Sequence, residues 1–327
     1  MKRNTTYTAL FAGAASLLLL GTACSSEGGR EEAAEEGADT PELTIAMITH
    51  EVPGDTFWDI VRSGAEDAAA KSNITLEYAS DPEAREQASL IQNAIDREVD
   101  GIAVTLSTPD VLEGAIADAE AAGIPVVAFN AGIEDWADMG VQQYFGTDEH
   151  LAGTAFGERL NEVGAQRVLC VIQEQGHVAL ETRCASLEEA FEGESEVLYV
   201  DSANMPEVRS GISAKLQEDE DIDHVVTLGA PIAMTAIDAI DDAGSDAAVA
   251  TFDTNGELVG AIQEGVVQWA VDQQPYLQGY LAVDSLWLYN TNGNVSGGGT
   301  EPVLTGPAFI DESNVDEIAV FAEEGTR

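Results

Sequence analysis

Many side chains in this 327-residue chain are capable of chemistry, but few are spaced for catalysis. The four histidines, His50, His150, His177 and His224, form no H-x₃-H or H-E-x-x-H pair, and no C-x-x-C exists. The usual zinc patterns are therefore missing, and no metal is expected. No G-x-S-x-G elbow marks a nucleophile. No P-loop or G-x-G-x-x-G opens a helix, so no cofactor is expected either. The acidic run Glu218 to Asp223 lacks the EF-hand ligand register with its turn glycine and reads as a solvated loop. What remains is a scatter of aromatic and hydrogen-bonding side chains just beyond apolar runs: His50, Asp55, Phe57 and Trp58, then Ser107, Asn130, Arg183, Asp253 and Gln273. Polar groups and aromatic rings without an activated nucleophile suit binding better than catalysis.

The elements ahead of these residues explain their placing. Short apolar runs alternate with helix-like segments. LTIAMIT (43–49), ITLEYAS (74–80), GIAVTL (101–106) and PVVAFNA (125–131) make a first series. RVLCVIQ (167–173), EVLYVDS (196–202), HVVTLGA (224–230), AAVATFD (247–253) and VVQWAVDQ (266–273) make a second. Between them, helices are predicted from near Thr56, from near Pro82 and over Pro109 to Ala122. Near-continuous apolar strands are those of parallel sheets covered on both faces. The predicted fold is α/β, with two doubly wound lobes. Ligands of such sheets bind beyond the carboxyl ends of the strands. That rule selects His50 to Trp58, Thr105 to Thr108, Asn130 to Gly132, Gln173 to Arg183, Gly229, Asp253 and Gln273.

The chain opens with Lys2 and Arg3, continues with an apolar run from Ala9 to Leu20, and reaches Gly21-Thr22-Ala23-Cys24. This is the basic, apolar, small-residue order of a signal peptide, assigned to residues 1–23. The run is shorter than the roughly 20 apolar residues that span a bilayer. Gly-Thr-Ala-Cys resembles the lipobox of bacterial lipoproteins, with Gly21 where Leu is usual, which implies acylation at Cys24. Residues 24–41 are polar, acidic and Gly-rich and read as a flexible tether. The net charge of −47 excludes a nucleic-acid partner, whose phosphates need a basic footprint. Membrane attachment is therefore expected through the lipid anchor only.

The order DTFWDIVRSGAEDAAA, VDGIAVTLSTPD, AAGIPVVAFNAG, ATFDTNGE and VDQQPYLQGY resembles type I periplasmic binding proteins of the ribose-binding kind, over about Glu42 to Asp316. The resemblance implies two lobes joined by three crossing segments, residues 42–147 plus 274–299 and residues 148–273 plus 300–327. It implies an extracytoplasmic monomer that closes on a sugar or polyol and hands it to the permease of an ABC importer. The same architecture serves sensing receptors, and an exported enzyme on a doubly wound fold is a third reading. Cytoplasmic repressors share it too, but carry a basic helix-turn-helix head where this chain has a signal peptide and tether.

The resemblance also gives the scattered residues roles. Phe57 and Trp58 match the paired aromatics that stack on the sugar ring, although one of them could equally be core. Asp55 matches a hydroxyl-binding position and is equally an N-cap. Asp253 matches a hydroxyl acceptor, and Gln273 a hinge amide that donates and accepts. Arg183 matches a cleft arginine; a shift of two would put Glu181 there, and a plain salt bridge is the alternative. Asn130-Ala131 and Gly229-Ala230 depart from the ribose pattern of Asp-Arg and Asn-Asp. His50, directly after the first strand, either compensates or simply caps the strand end. Cys170 and Cys184, an even pair in an exported chain, are read as a disulfide or as two buried thiols.

Overall fold

The chain's alternation of apolar and amphipathic segments becomes two open sheets in the computed structural model, which describes residues 40–327. The expected signal peptide, Cys24 and the tether up to residue 39 lie outside the described residues. The first lobe is built on β1 (Leu43–Thr49), α1 (Thr56–Ser72), β2 (Ile74–Ser80), α2 (Ala84–Asp96), β3 (Gly101–Thr105), α3 (Pro109–Ala121), β4 (Val126–Phe129) and β5 (Tyr144–Thr147). The second lobe holds α4 (Glu149–Val163), β6 (Arg167–Ile172), α5 (Val178–Ala190), β7 (Glu194–Tyr199), α6 (Met205–Glu218), β8 (His224–Thr227), α7 (Ala230–Ala243), β9 (Ala248–Phe252), α8 (Gly256–Gln263) and β10 (Val267–Asp272). The chain then returns to the first lobe with α9 (Pro275–Asn292) and β11 (Val303–Gly306), and to the second with β12 (Ala308–Asp311) and α10 (Val315–Glu323).

The sheets share one plan. Their orders are β11-β5-β4-β3-β1-β2 and β12-β10-β9-β8-β6-β7, so each reverses direction beside its first strand. Every pairing is parallel except β10 with β12. Strand residues alternate between two cores, as the period of two demands. In β1, Ile45 and Met47 face the core that includes Trp58 and Phe129, while Ala46 and Ile48 face the one that includes Ile91 and Leu112. In β6, Leu169 and Val171 lie in one core and Val168, Cys170 and Ile172 in the other. Each such side chain contributes roughly 1.5–3 kcal/mol by leaving water, before the entropy of ordering the chain is set against it.

One boundary differs from the expected one at 299/300. β11 pairs with β5 in the first sheet, so residues 303–306 belong to the first lobe and the last crossing falls at Pro307. β5, β11 and β12 are four-residue strands, too short to show a period in the sequence.

Two helix pairs hold the binding elements in place. A Cβ on Gly64 would lie 2.0 Å from the Tyr276 carbonyl oxygen, and one on Gly279 2.0 Å from that of Val61. Only glycine lets α1 and α9 approach this closely. In the second lobe, a Cβ on Gly153 would lie 2.5 Å from the Arg183 carbonyl oxygen. The α4–α5 contact therefore also depends on a missing side chain.

Candidate functional site

On the first lobe's side, the loop after β1 turns into α1 at Asp55, whose carboxylate accepts the Phe57 N–H at 3.0 Å. The cap aims the first helical turn at the cleft. Phe57 and Trp58, both buried, meet edge to face with ring centroids 5.0 Å apart, and His50 stands 4.8 Å from Trp58 in the same geometry. The next wall residue, Asn130, follows β4 with a left-handed φ of 66°. Asn tolerates that region better than most residues. Tyr144 Oη fixes the bend by donating to its carbonyl at 2.8 Å.

The second lobe answers with charge. Asp253 follows β9 as Asn130 follows β4, again with φ 66°. Its carboxylate accepts from Gln273 Nε2 at 2.5 Å, and Gln273 Oε1 accepts from Arg183 Nη2 at 2.7 Å. Arg183 also grips Glu149 from Nε at 2.6 Å and from Nη2 at 3.1 Å, with both side chains buried. Its guanidinium lies 4.5 Å from the centre of the Phe252 ring. The Cys170–Cys184 disulfide, with Cα atoms 6.0 Å apart, ties α5 to β6 one residue beyond Arg183. Arg183 is salt-bridged and also lines the cavity. Glu181 turns away, accepting from Gly176 N–H and Tyr199 Oη.

Polar contacts cross between the lobes. His177 caps α5, its Nδ1 accepting the Ala179 N–H at 3.2 Å. Its proton must therefore sit on Nε2, which meets His50 Nε2 at 2.8 Å. His50 then donates from Nδ1 to Thr105 Oγ1 at 2.7 Å, an oxygen that also receives Gln87 Nε2. The relay needs both rings neutral, and burial drives both pKa values down, that of His50 to about 3. Asn255 Nδ2 donates to Thr56 Oγ1 at 3.0 Å, and the Val178 N–H donates to the Ser107 carbonyl at 3.1 Å.

A small, largely polar cavity lies between the walls. It brings together eight of the nine sequence-selected residues: His50, Asp55, Phe57, Trp58, Asn130, Arg183, Asp253 and Gln273. Ser107 is the exception; it is buried and engages the other lobe through its carbonyl instead. The cavity adds Gln173, Glu174, His177, Leu180 and Leu228, which sequence reasoning did not single out. The strand-end rule had bracketed four of them in Gln173 to Arg183, but nothing in their spacing separated them from neighbours. Gly229 lies in an adjoining hollow with Met205, Pro231 and Ile232, which shares Asp55 and Gln173 with the cavity.

Burial dominates the site's acid–base behaviour. It pushes the Asp253 carboxyl up to about 7, against the pull of Arg183 and the Gln273 bond. It pushes Asp55 up to about 6 and Glu174 up to about 8, the latter with help from the Asp55 charge. Ligand atoms of His50, Glu174 and His177 lie within 4.8 Å of one another. In the arrangement described above, His177 Nε2 gives its proton to His50 Nε2, so two of the three are joined by a hydrogen bond.

Two doubly wound lobes with a polar, aromatic cavity closed between them define a bilobal solute-binding protein. The chain belongs to the periplasmic binding protein domain family, whose model matches residues 45–293. A carbohydrate transporter from Acidothermus cellulolyticus, solved in complex with myo-inositol, is 57% identical, with a TM-score of 0.87 over 88% of this chain and 100% of that one. The xylose/arabinose-binding protein XylF of Sulfolobus acidocaldarius is 25% identical over 84% of this chain and 72% of its own length. The ribose import binding protein RbsB of Bacillus subtilis is 24% identical over 83% and 88%.

Proposed function

We propose that the protein is an extracytoplasmic receptor that captures one cyclic polyol of the inositol kind between its lobes and delivers it to an ABC importer. A relative 57% identical over its whole solved length holds myo-inositol, and that observation carries the reading. The cavity chemistry supports it. A polyol ring has apolar C–H faces, which Phe57 and Trp58 can cover, and a rim of hydroxyls that each donate once and accept twice. Asp253, Gln273, Arg183 and Asn130 supply acceptors and donors around that rim. Ala131 replaces the arginine of the ribose pattern, which fits a ligand other than ribose.

Export and acylation at Cys24 belong to the same proposal, because a receptor held near its importer by acyl chains meets it at high local concentration. Mass spectrometry of the membrane-extracted protein should show acyl groups on Cys24. The binding reading is tested by calorimetry of the purified protein with myo-inositol, scyllo-inositol, ribose, xylose, arabinose and glucose. One inositol per chain is expected, with a change in tryptophan fluorescence as the lobes close and the surroundings of Trp58 change. Heat from none of the six would overturn it.

A further inference from the structure

The cavity contains more carboxyl groups than a neutral polyol needs. Asp55 projects from the first lobe, and Glu174 and Asp253 from the second. Arg183, the one cation lining the cavity among the described residues, is already committed to Glu149 and Gln273. The two histidines are neutral in their relay and use their N–H groups on each other and on Thr105. Asp55 accepts one backbone N–H and Asp253 one amide N–H, and among the described residues the Glu174 carboxyl accepts none, only its backbone carbonyl receiving the His177 N–H at 3.3 Å. Gln173, 8% exposed, adds a buried Oε1 with no partner. With these carboxyls ionised, as beside a cation, the wall is rich in acceptors and short of donors.

A hydroxyl brings one donor with two acceptors, whereas an ammonium brings three donors and no acceptor. An ammonium also neutralises carboxylates that otherwise repel one another, and its hydrogen bonds to them are charge-assisted. Asp55, Glu174 and Asp253 line the same cavity, and the Asp55 charge adds to the burial that pushes the other two carboxyls upward.

We propose that the cavity takes a cyclic polyol bearing a protonated amine, an amino-cyclitol, with Glu174 and Asp55 holding the ammonium from opposite lobes. The inference rests on the polyol-receptor reading and narrows its substrate class. Glu174 then determines specificity. It recruits no protein partner of its own, and its position beside the His50–His177 bridge places the ammonium where the lobes meet.

The test is calorimetry at neutral pH with scyllo-inositol and scyllo-inosamine, which differ by one hydroxyl exchanged for an amine. The amine should bind tighter by about tenfold or more, the value of a hydrogen bond to a charged group. Glu174→Gln should collapse the ratio of the two affinities, and Glu174→Asp should restore part of it. A merely structural role would move both affinities together and leave the ratio unchanged. Scyllo-inositol binding without preference for the amine, or a preference that survives in Glu174→Gln, overturns the inference and leaves the polyol reading intact. Heat from neither compound, nor from myo-inositol, overturns both.

Discussion

The two walls of the cleft are built on the same plan and filled with different chemistry. Asn130 and Asp253 occupy matching bends after β4 and β9, each with φ 66°, yet one is a neutral amide and the other a buried acid. Around Asn130 stand Phe57, Trp58 and His50; around Asp253 stand Gln273, Arg183, Glu149 and Glu174. The first wall offers a shaped apolar surface with a neutral relay behind it. The second offers fixed charges whose positions depend on one another. The repeated architecture thus supplies the geometry twice, and under the proposed function the side chains would divide recognition between the faces and the hydroxyls of a polyol.

If that division is right, the largest single effect should come from the second wall. Arg183→Met removes one partner of a buried ion pair and strands Glu149, which should cost about 3–5 kcal/mol in urea unfolding. Replacing Glu149 by Leu in the same variant should recover much of the loss, because no buried charge then remains unpaired. A cost under about 1 kcal/mol, normal for an exposed pair, would mean that the charged wall is not a connected framework. Next in size is the disulfide. Cys170→Ser with Cys184→Ser opens a loop of 14 residues and should cost about 3 kcal/mol on the chain-entropy model, readable as a lower melting temperature.

Asp253→Asn should separate recognition from stability. Inositol binding should weaken by about 1.5–3 kcal/mol, measured by calorimetry. Ligand-free stability should move the other way. The folded state holds the Asp253 proton up to about 7 against an ordinary 3.8, so this group favours folding in acid and loses that contribution as pH rises between those values. The asparagine variant lacks that loss, so its melting temperature relative to the parent should climb between pH 4 and pH 7 or so. A flat difference would show that the carboxyl stays charged in the ligand-free fold. The smallest effect should be Trp58→Leu on the first wall, with inositol binding weaker by about 0.5–1.5 kcal/mol and its pH dependence unchanged.

The site was legible in proportion to how locally its residues are placed. His50, Asp55, Phe57 and Trp58 lie within nine positions of one strand end, and a strand followed by a capped helix places them without reference to the rest of the chain. Asn130, Asp253 and Gln273 were found by the same strand-end logic. Glu174 and His177 were not, because what sets them apart is the group each faces across the cleft, Asp55 and His50. His177 meets a residue 127 positions away, and no periodicity encodes that contact. The exchange of β11 and β12 between lobes was hidden for a related reason. Four-residue strands at sheet edges carry too few alternating positions to show which sheet they join.

Apolar runs buried on both faces, alternating with helices, are enough by themselves to specify two parallel sheets, and parallel sheets put loops and ligands at their carboxyl ends. That much of the cleft is determined locally, by hydrophobic period and strand direction. The lobe partition at Pro307, the double role of Arg183, the neutral histidine bridge and the uncompensated acids were decided only by the tertiary structure. Each depends on groups brought together from distant parts of the chain, and desolvation and charge act through space rather than along the sequence.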